Sequence, residues 1–222
     1  MLFYRGIAVP EAEAHETADY IRREGMTTQP GMYKSDHYKP DPLLIDHPNL
    51  RTELTRPKGL GTLALFACGN KAGAHYYAHF HNRTESDDTP LAIEFDSDIT
   101  NVAIDGRDFL FTVLQSGDPV RAQPFIREIF GEKGLWYAEK AWKTNNPTTR
   151  IAIGDLMIHD QEVIESHYAN KRLIHGRSKT RFTSAFTVSL PIPPSAIREV
   201  SILDDVQMFS GDFVSLDDVR AR

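Results

Sequence analysis

Apolar and aromatic residues cluster in short runs along this chain, and their spacing predicts more strands than helices. Residues 2–7 open with Leu2, Phe3 and Tyr4 and read as a strand. Pro10 begins a helical run to Glu24, with Ala14, Ala18 and Ile21 on one face and Gly25 placed to stop it. Gly61 to Ala67 is a second apolar strand, and Asn70 can cap a helix running to about Asn82. Leu91 to Phe95 alternates as a strand does, and Phe109 to Leu114 is a further strand-like run. Arg121 to Phe130 and Leu135 to Lys143 carry helical spacing, the second with both tryptophans, Trp136 and Trp142. Ile151 to Ile153, Leu156 to Ile164 and Arg181 to Leu190 read as sheet elements, and Pro193-Pro194 turns the chain into Val200–Leu203.

Between Met26 and Lys58 the character changes. Pro30, Pro40, Pro42, Pro48 and Pro57 are spread through a stretch too long for an ordinary connection, so the 27–58 segment is expected to be a lid, a binding loop or a floppy excursion. Strands outnumber helices without alternating with them, which argues for α+β over a doubly wound parallel sheet. No Gly-x-Gly-x-x-Gly turn is present to suggest a dinucleotide fold of the Rossmann type.

Composition narrows this further. With 222 residues and 41% hydrophobic content the chain can bury one substantial core, expected over 1–205 as a single catalytic domain, with 206–222 as a C-terminal tail. A formal net charge of -6 argues against a wide nucleic-acid grip, and the basic group Lys171, Arg172, Arg177, Lys179 and Arg181 reads as a solvated loop. One cysteine excludes an internal disulfide. No signal-peptide pattern and no long apolar stretch is seen, so a cytoplasmic protein, or one exported without a cleaved signal, and no membrane contact are expected.

Three segments carry most of the chemistry. A strand ending in Arg5-Gly6 offers a guanidinium able to hold a phosphate or carboxylate bidentately. Phe66-Ala67-Cys68-Gly69-Asn70 ends a strand before a helix containing Tyr77-Ala78. Asp160-Gln161-Glu162 lies in an apolar run that reads as a late strand, where Glu162 and Asp160 share a face and offer a positioned base.

Arginine first, glutamate last, with a small-residue turn and a Tyr-Ala helix between them, resembles the arginine-first, glutamate-last branch of the ADP-ribosyltransferase superfamily. Two departures stand out. Ala-Cys-Gly replaces the usual Ser-Thr-Ser at the middle strand's end, so Cys68 is a poor stand-in for a hydroxyl, and Asp160 replaces a Glu or Gln. The resemblance implies a split β-sandwich with flanking helices and NAD as substrate. Arg5, Gly6, Cys68 and Tyr77 would lie around NAD. Glu162 would stabilise the oxocarbenium-like species formed as the nicotinamide–ribose bond breaks, and Asp160 would orient the acceptor. The acceptor stays open among protein side chains, nucleic acid, small molecules and water, and so does the biological role, whether effector, toxin or housekeeping modifier.

Two other readings compete. His79, His81 and Glu85 follow Gly73 with a spacing similar to the first metal motif of cupins, although the second half of that motif is missing. His75 and His79 would also suit one face of a helix. A non-catalytic NAD-binding module is the third reading, since Cys68 stands where a hydroxyl is expected. Tyr76 reads as helix core.

Overall fold

The computed structural model describes residues 1–27, 64–83, 85–205, 209 and 211–220. Most of the 27–58 segment expected to form a lid lies outside them. Among the described residues the chain is an α+β protein with seven α-helices, a six-stranded antiparallel sheet and a three-stranded sheet.

The large sheet is built outward from β1 (Leu2–Pro10). β1 pairs along its whole length with β3 (Asp88–Asp96), from Leu2 opposite Asp96 to Pro10 opposite Asp88. On its other side it meets β2 (Ala64–Cys68) where Tyr4 faces Cys68. With β4 (Val102–Ile104), β7 (Ala185–Ser189) and β8 (Ile197–Ile202), the strand order is β4-β7-β2-β1-β3-β8. β3 shows why the sheet has two different faces. Leu91, Ile93 and Phe95 are buried, while the intervening Ala92, Glu94 and Asp96 are only partly covered, as a period of two requires.

The buried face packs on helices. Phe3 is fully enclosed, its ring 6.0 Å from Phe95, 5.3 Å from Phe186 and 5.8 Å from Tyr168. The opposite face carries α2 (Lys71–Tyr76), which continues as a π-helical turn over Tyr77–His81. Asn70 caps α2 as its sequence position suggests, with Oδ1 accepting from the Gly73 N–H at 2.8 Å. α1 (Ala14–Glu24) buries Ala14, Ala18 and Ile21 and ends at Gly25, whose φ of 75° needs glycine.

Several expected strands are helices. Phe109–Leu114 falls mostly in α3 (Leu110–Ser116). Arg121–Phe130 and Leu135–Lys143 merge into α4 (Pro119–Trp142), which bends at Gly131, where φ is 75°. Ile151–Ile153 and Leu156–Ile158 belong to α5 (Pro147–Ile158), and Gln161 opens α6 (Gln161–Ala169). The signals lie in the caps. Asn146-Pro147 and Asp160 start the two helices, the Asp160 carboxylate accepting from the Glu162 and Val163 N–H groups at 3.0 and 3.3 Å.

The C-terminal stretch is no loose tail. β9 (Phe213–Ser215) runs parallel to β5 (Leu173–His175), which also pairs with β6 (Arg181–Phe182), and α7 (Leu216–Val219) follows. Val214 and Val219 are fully buried, and with Leu216 they belong to the domain core. Among the described residues, no helix is long and apolar enough to cross a membrane.

His167 of α6 is locked into this core. Its Nε2 accepts from the Ala185 N–H at 3.1 Å, and its ring stacks on Phe130 at 4.8 Å. Burial pulls its pKa down to about 3. The imidazole is therefore neutral in the fold across the range where an unfolded histidine, near 6.5, takes up a proton. Stability is untaxed above pH 6.5 and falls as pH drops from there toward 3. His167→Gln, which keeps an acceptor, is expected to flatten that acid-side slope in urea unfolding at graded pH.

α2 crosses β1 at Gly6 with no space between them. A Cβ at Gly6 would lie 1.9 Å from the Ala74 carbonyl oxygen and 2.7 Å from the Ala78 nitrogen, both backbone. Gly6→Ala is expected to lower stability by about 1–3 kcal/mol, because helix or strand must shift as a whole. Chemical denaturation of the two proteins measures this directly.

Candidate functional site

The end of the large sheet gathers polar groups from five segments. β2 ends at Cys68, β7 begins level with it at Ala185, and β4 ends at Ile104 opposite Phe186. The chain leaving β4 is Asp105-Gly106-Arg107-Asp108, which the Asp105 N–H ties to the Ala185 carbonyl at 2.9 Å. Above this end sits the turn carrying Tyr77 and His81, whose rings are 5.1 Å apart.

Arg5 reaches across from β1, its Nη1 donating to the Phe66 carbonyl at 2.8 Å. Burial pulls the guanidinium below its ordinary value, although an arginine stays charged. Cys68 lies within its field and is itself sealed, its thiol pushed up to about 12 mainly by burial. Arg107 holds Asp105 bidentately, with two contacts of 2.9 Å, and lies over the Phe66 ring at 4.3 Å. Asp108 is different. Burial, then Asp105, raise its carboxyl above the usual range, with Arg107 and Thr180 partly offsetting them. The Tyr77 hydroxyl is also raised, first by burial and then by Cys68, Asp108 and Asp105.

Arg5, Gly6, Cys68 and Tyr77, expected together from the sequence, are thus brought to one place. Their parts differ from expectation, however. Gly6 is glycine because the helix backbone touches it, and its carbonyl accepts from Asn82 Nδ2 at 2.8 Å. Cys68 packs under Gly73 and is closed to a ligand. The hydroxyls missing at the end of β2 come instead from the start of β7. Thr183 Oγ1 accepts from Asn70 Nδ2. The buried Ser184 Oγ has no hydrogen-bond partner among the described residues and occupies space that a side chain at Gly69 would need. Linear spacing hid Thr183 and Ser184, which lie more than a hundred residues from Cys68. Asp105 and Asp108 had a signal in their charged turn.

Asp160 and Glu162 do not join this site on a strand. Asp160 caps α6 and accepts from the Tyr137 hydroxyl at 3.0 Å, while Glu162 is exposed in that helix's first turn. A helix start is the reason: the carboxylate that looked like half of a strand pair satisfies backbone N–H groups instead.

The late strand that does carry a glutamate is β8. Its Glu199 lies opposite Glu94 of β3, and like charges so placed repel. Lys71 sits between them, 3.1 Å from Glu94 and 3.9 Å from Glu199. These residues, with Tyr4, His75 and Ser201, line a cavity of about 270 Å³ on the other flank of α2. The histidines lie along α2 and its π turn, and no group of three or more metal-binding side chains converges among the described residues.

Comparison of the chain with protein-family models, with curated proteins and with solved structures gives no match.

A thiol near 12 leaves almost no thiolate at neutral pH, so Cys68 is expected to resist alkylation in the native protein and react fully once unfolded. The same shift makes stability constant below the unfolded thiol value of about 8.5 and lets it fall as pH rises from there toward 12. Timed iodoacetamide labelling with mass readout checks the first. Alkaline denaturation of wild type against Cys68→Ala checks the second.

Proposed function

We propose that the protein cleaves the nicotinamide–ribose bond of NAD and passes ADP-ribose to an acceptor or to water, on an ADP-ribosyltransferase-like frame. One observation carries the reading. Arg5, from the first strand, and Tyr77, from the helix after the middle strand, both lie near Cys68 at the sheet end, where Asp105 and Asp108 also lie near Tyr77. That is the set of groups the reaction needs: a cation for a phosphate, an aromatic wall and an anion near the forming positive charge.

Asp108 is the carboxylate best suited to the task. Asp105 is paired with its bidentate Arg107, whereas burial and the neighbouring Asp105 raise the Asp108 carboxyl above its ordinary value and make it the stronger base. As the bond from the ribose C1′ to the nicotinamide nitrogen breaks, the electron pair leaves with neutral nicotinamide. The cationic sugar is stabilised by the Asp108 carboxylate. An acceptor oxygen or nitrogen then bonds to C1′ and gives its proton to Asp108. Thr183, which is only partly buried, would bind a ribose hydroxyl.

A second reading follows from β8, where Glu199 is a true late-strand glutamate beside a cavity. Nicotinamide release from NAD distinguishes the two. Asp108→Asn is expected to lose about a hundred- to ten-thousand-fold in rate. Glu162→Gln is expected to retain wild-type turnover. Because the Asp108 carboxyl is raised, the acid limb of the wild-type pH profile should lie above the ordinary aspartate range. Loss in Glu199→Gln with full activity in Asp108→Asn would move the chemistry to the second cavity. No turnover by the wild type would overturn the proposal.

A further inference from the structure

Beside the sheet end, aromatic and cationic side chains alternate along one continuous stretch of surface. Phe213, 54% exposed, stacks face to face on His175 with ring centroids 4.2 Å apart and an interplanar angle of 8°. His175 pairs in register with Arg181, whose guanidinium lies over the Tyr76 ring at 5.8 Å. Tyr76 in turn meets Phe80 at 5.5 Å and Phe209 at 6.0 Å, and Phe80 is also 54% exposed.

Three cations, Arg177, Lys179 and Arg181, are exposed on the β5–β6 connection that carries this row. The Tyr76 hydroxyl donates to the Lys179 carbonyl at 2.7 Å, which fixes the aromatic part to the basic part. Asp218 lies near His175 and Asp212 precedes Phe213, while Asp205 approaches His75 and His79 through its backbone. Asp108 lies against the β5–β6 connection itself, its carbonyl accepting from the Arg177 N–H at 3.0 Å and its carboxylate from Thr180, and the three exposed cations there outnumber it.

We infer that this ridge binds single-stranded nucleic acid, with unpaired bases stacking on Phe213 and Phe80 and the phosphates drawn to Arg177, Lys179 and Arg181. Rings exposed at the surface over a basic strip suit splayed bases, because every base has a stacking face and a strand's backbone carries one charge per nucleotide. A paired duplex hides its base faces and fits the rings poorly. The strip is local, so it is compatible with the chain's overall charge of -6. The inference goes beyond the NAD reading and does not need it.

Fluorescence anisotropy of the full chain tests it, using a labelled oligothymidylate of about ten nucleotides, a length within the usual range of such sites. Binding is expected to weaken steadily as salt rises. Phe80→Ala and Phe213→Ala should each reduce affinity roughly ten-fold, with far-UV circular dichroism and thermal midpoint unchanged. Arg181→Gln should lower the salt slope by about one. Three results would overturn the inference: no binding at low ionic strength, equal affinity for a hairpin duplex, or full affinity in both phenylalanine variants. The last would mean that the cations merely attract any polyanion.

Discussion

The contact that organises this protein is backbone against backbone: α2 lying directly on β1 at Gly6. No side chain separates them, so the helix is held as close to the sheet as two main chains can come. That closeness sets everything on this face. It seats Gly73 on Cys68, turns Tyr77 toward the sheet end and leaves Lys71 and His75 over β3 and β8. α2 thereby separates the polar groups at the end of β2 from the cavity beside β8.

The cluster at the end of β2 holds two arginines and two aspartates. Within it, Arg5 spends one donor on the Phe66 carbonyl, and Arg107 is committed to Asp105. Placing two cations and two carboxylates partly out of water is costly unless they compensate one another. Asp108 is the least compensated member, which is why its carboxyl is raised. A fold that only needed stability would have little use for such a group, and that imbalance is the physical content of the catalytic reading. The cavity beside β8 balances its charges differently, with Lys71 placed between two opposed glutamates.

The opposite face contributes rigidity. Phe3, Phe95, Phe186 and Tyr168 interlock around the first strand, and the neutral His167 bridges α6 to β7. The sheet end where Arg5 emerges is therefore backed by a close-packed aromatic layer, which lets a buried guanidinium hold one position.

Local signals were readable wherever one residue type serves one local purpose. Asn70 caps its helix, Gly25 ends α1, and alternation in Leu91–Phe95 reports a half-buried strand, all visible in the linear order because each depends on neighbours a few residues away. Apolar runs without clear alternation were not readable in this way. Phe109–Leu114 and Leu156–Ile158 are buried on several sides, so their periodicity does not separate helix from strand; for the second the mark of a helix is the Asn146-Pro147 start, and the first has no capping side chain. Arg5 and Tyr77 stand beside small local motifs, Arg5-Gly6 and Tyr77-Ala78, and Asp108 lies in a charged turn, so each is marked in the linear order. Thr183 and Ser184 have no such mark near them in the chain. Their neighbourhood arises when β4, β7 and β2 come level at one end of the sheet, a register set by long-range strand pairing. The primary structure thus settled which residues form caps, turns and core stripes, through interactions one or two turns long. Which polar groups gather at the end of β2 was left to the pairing of distant strands, because only that pairing sets the distance between groups a hundred residues apart.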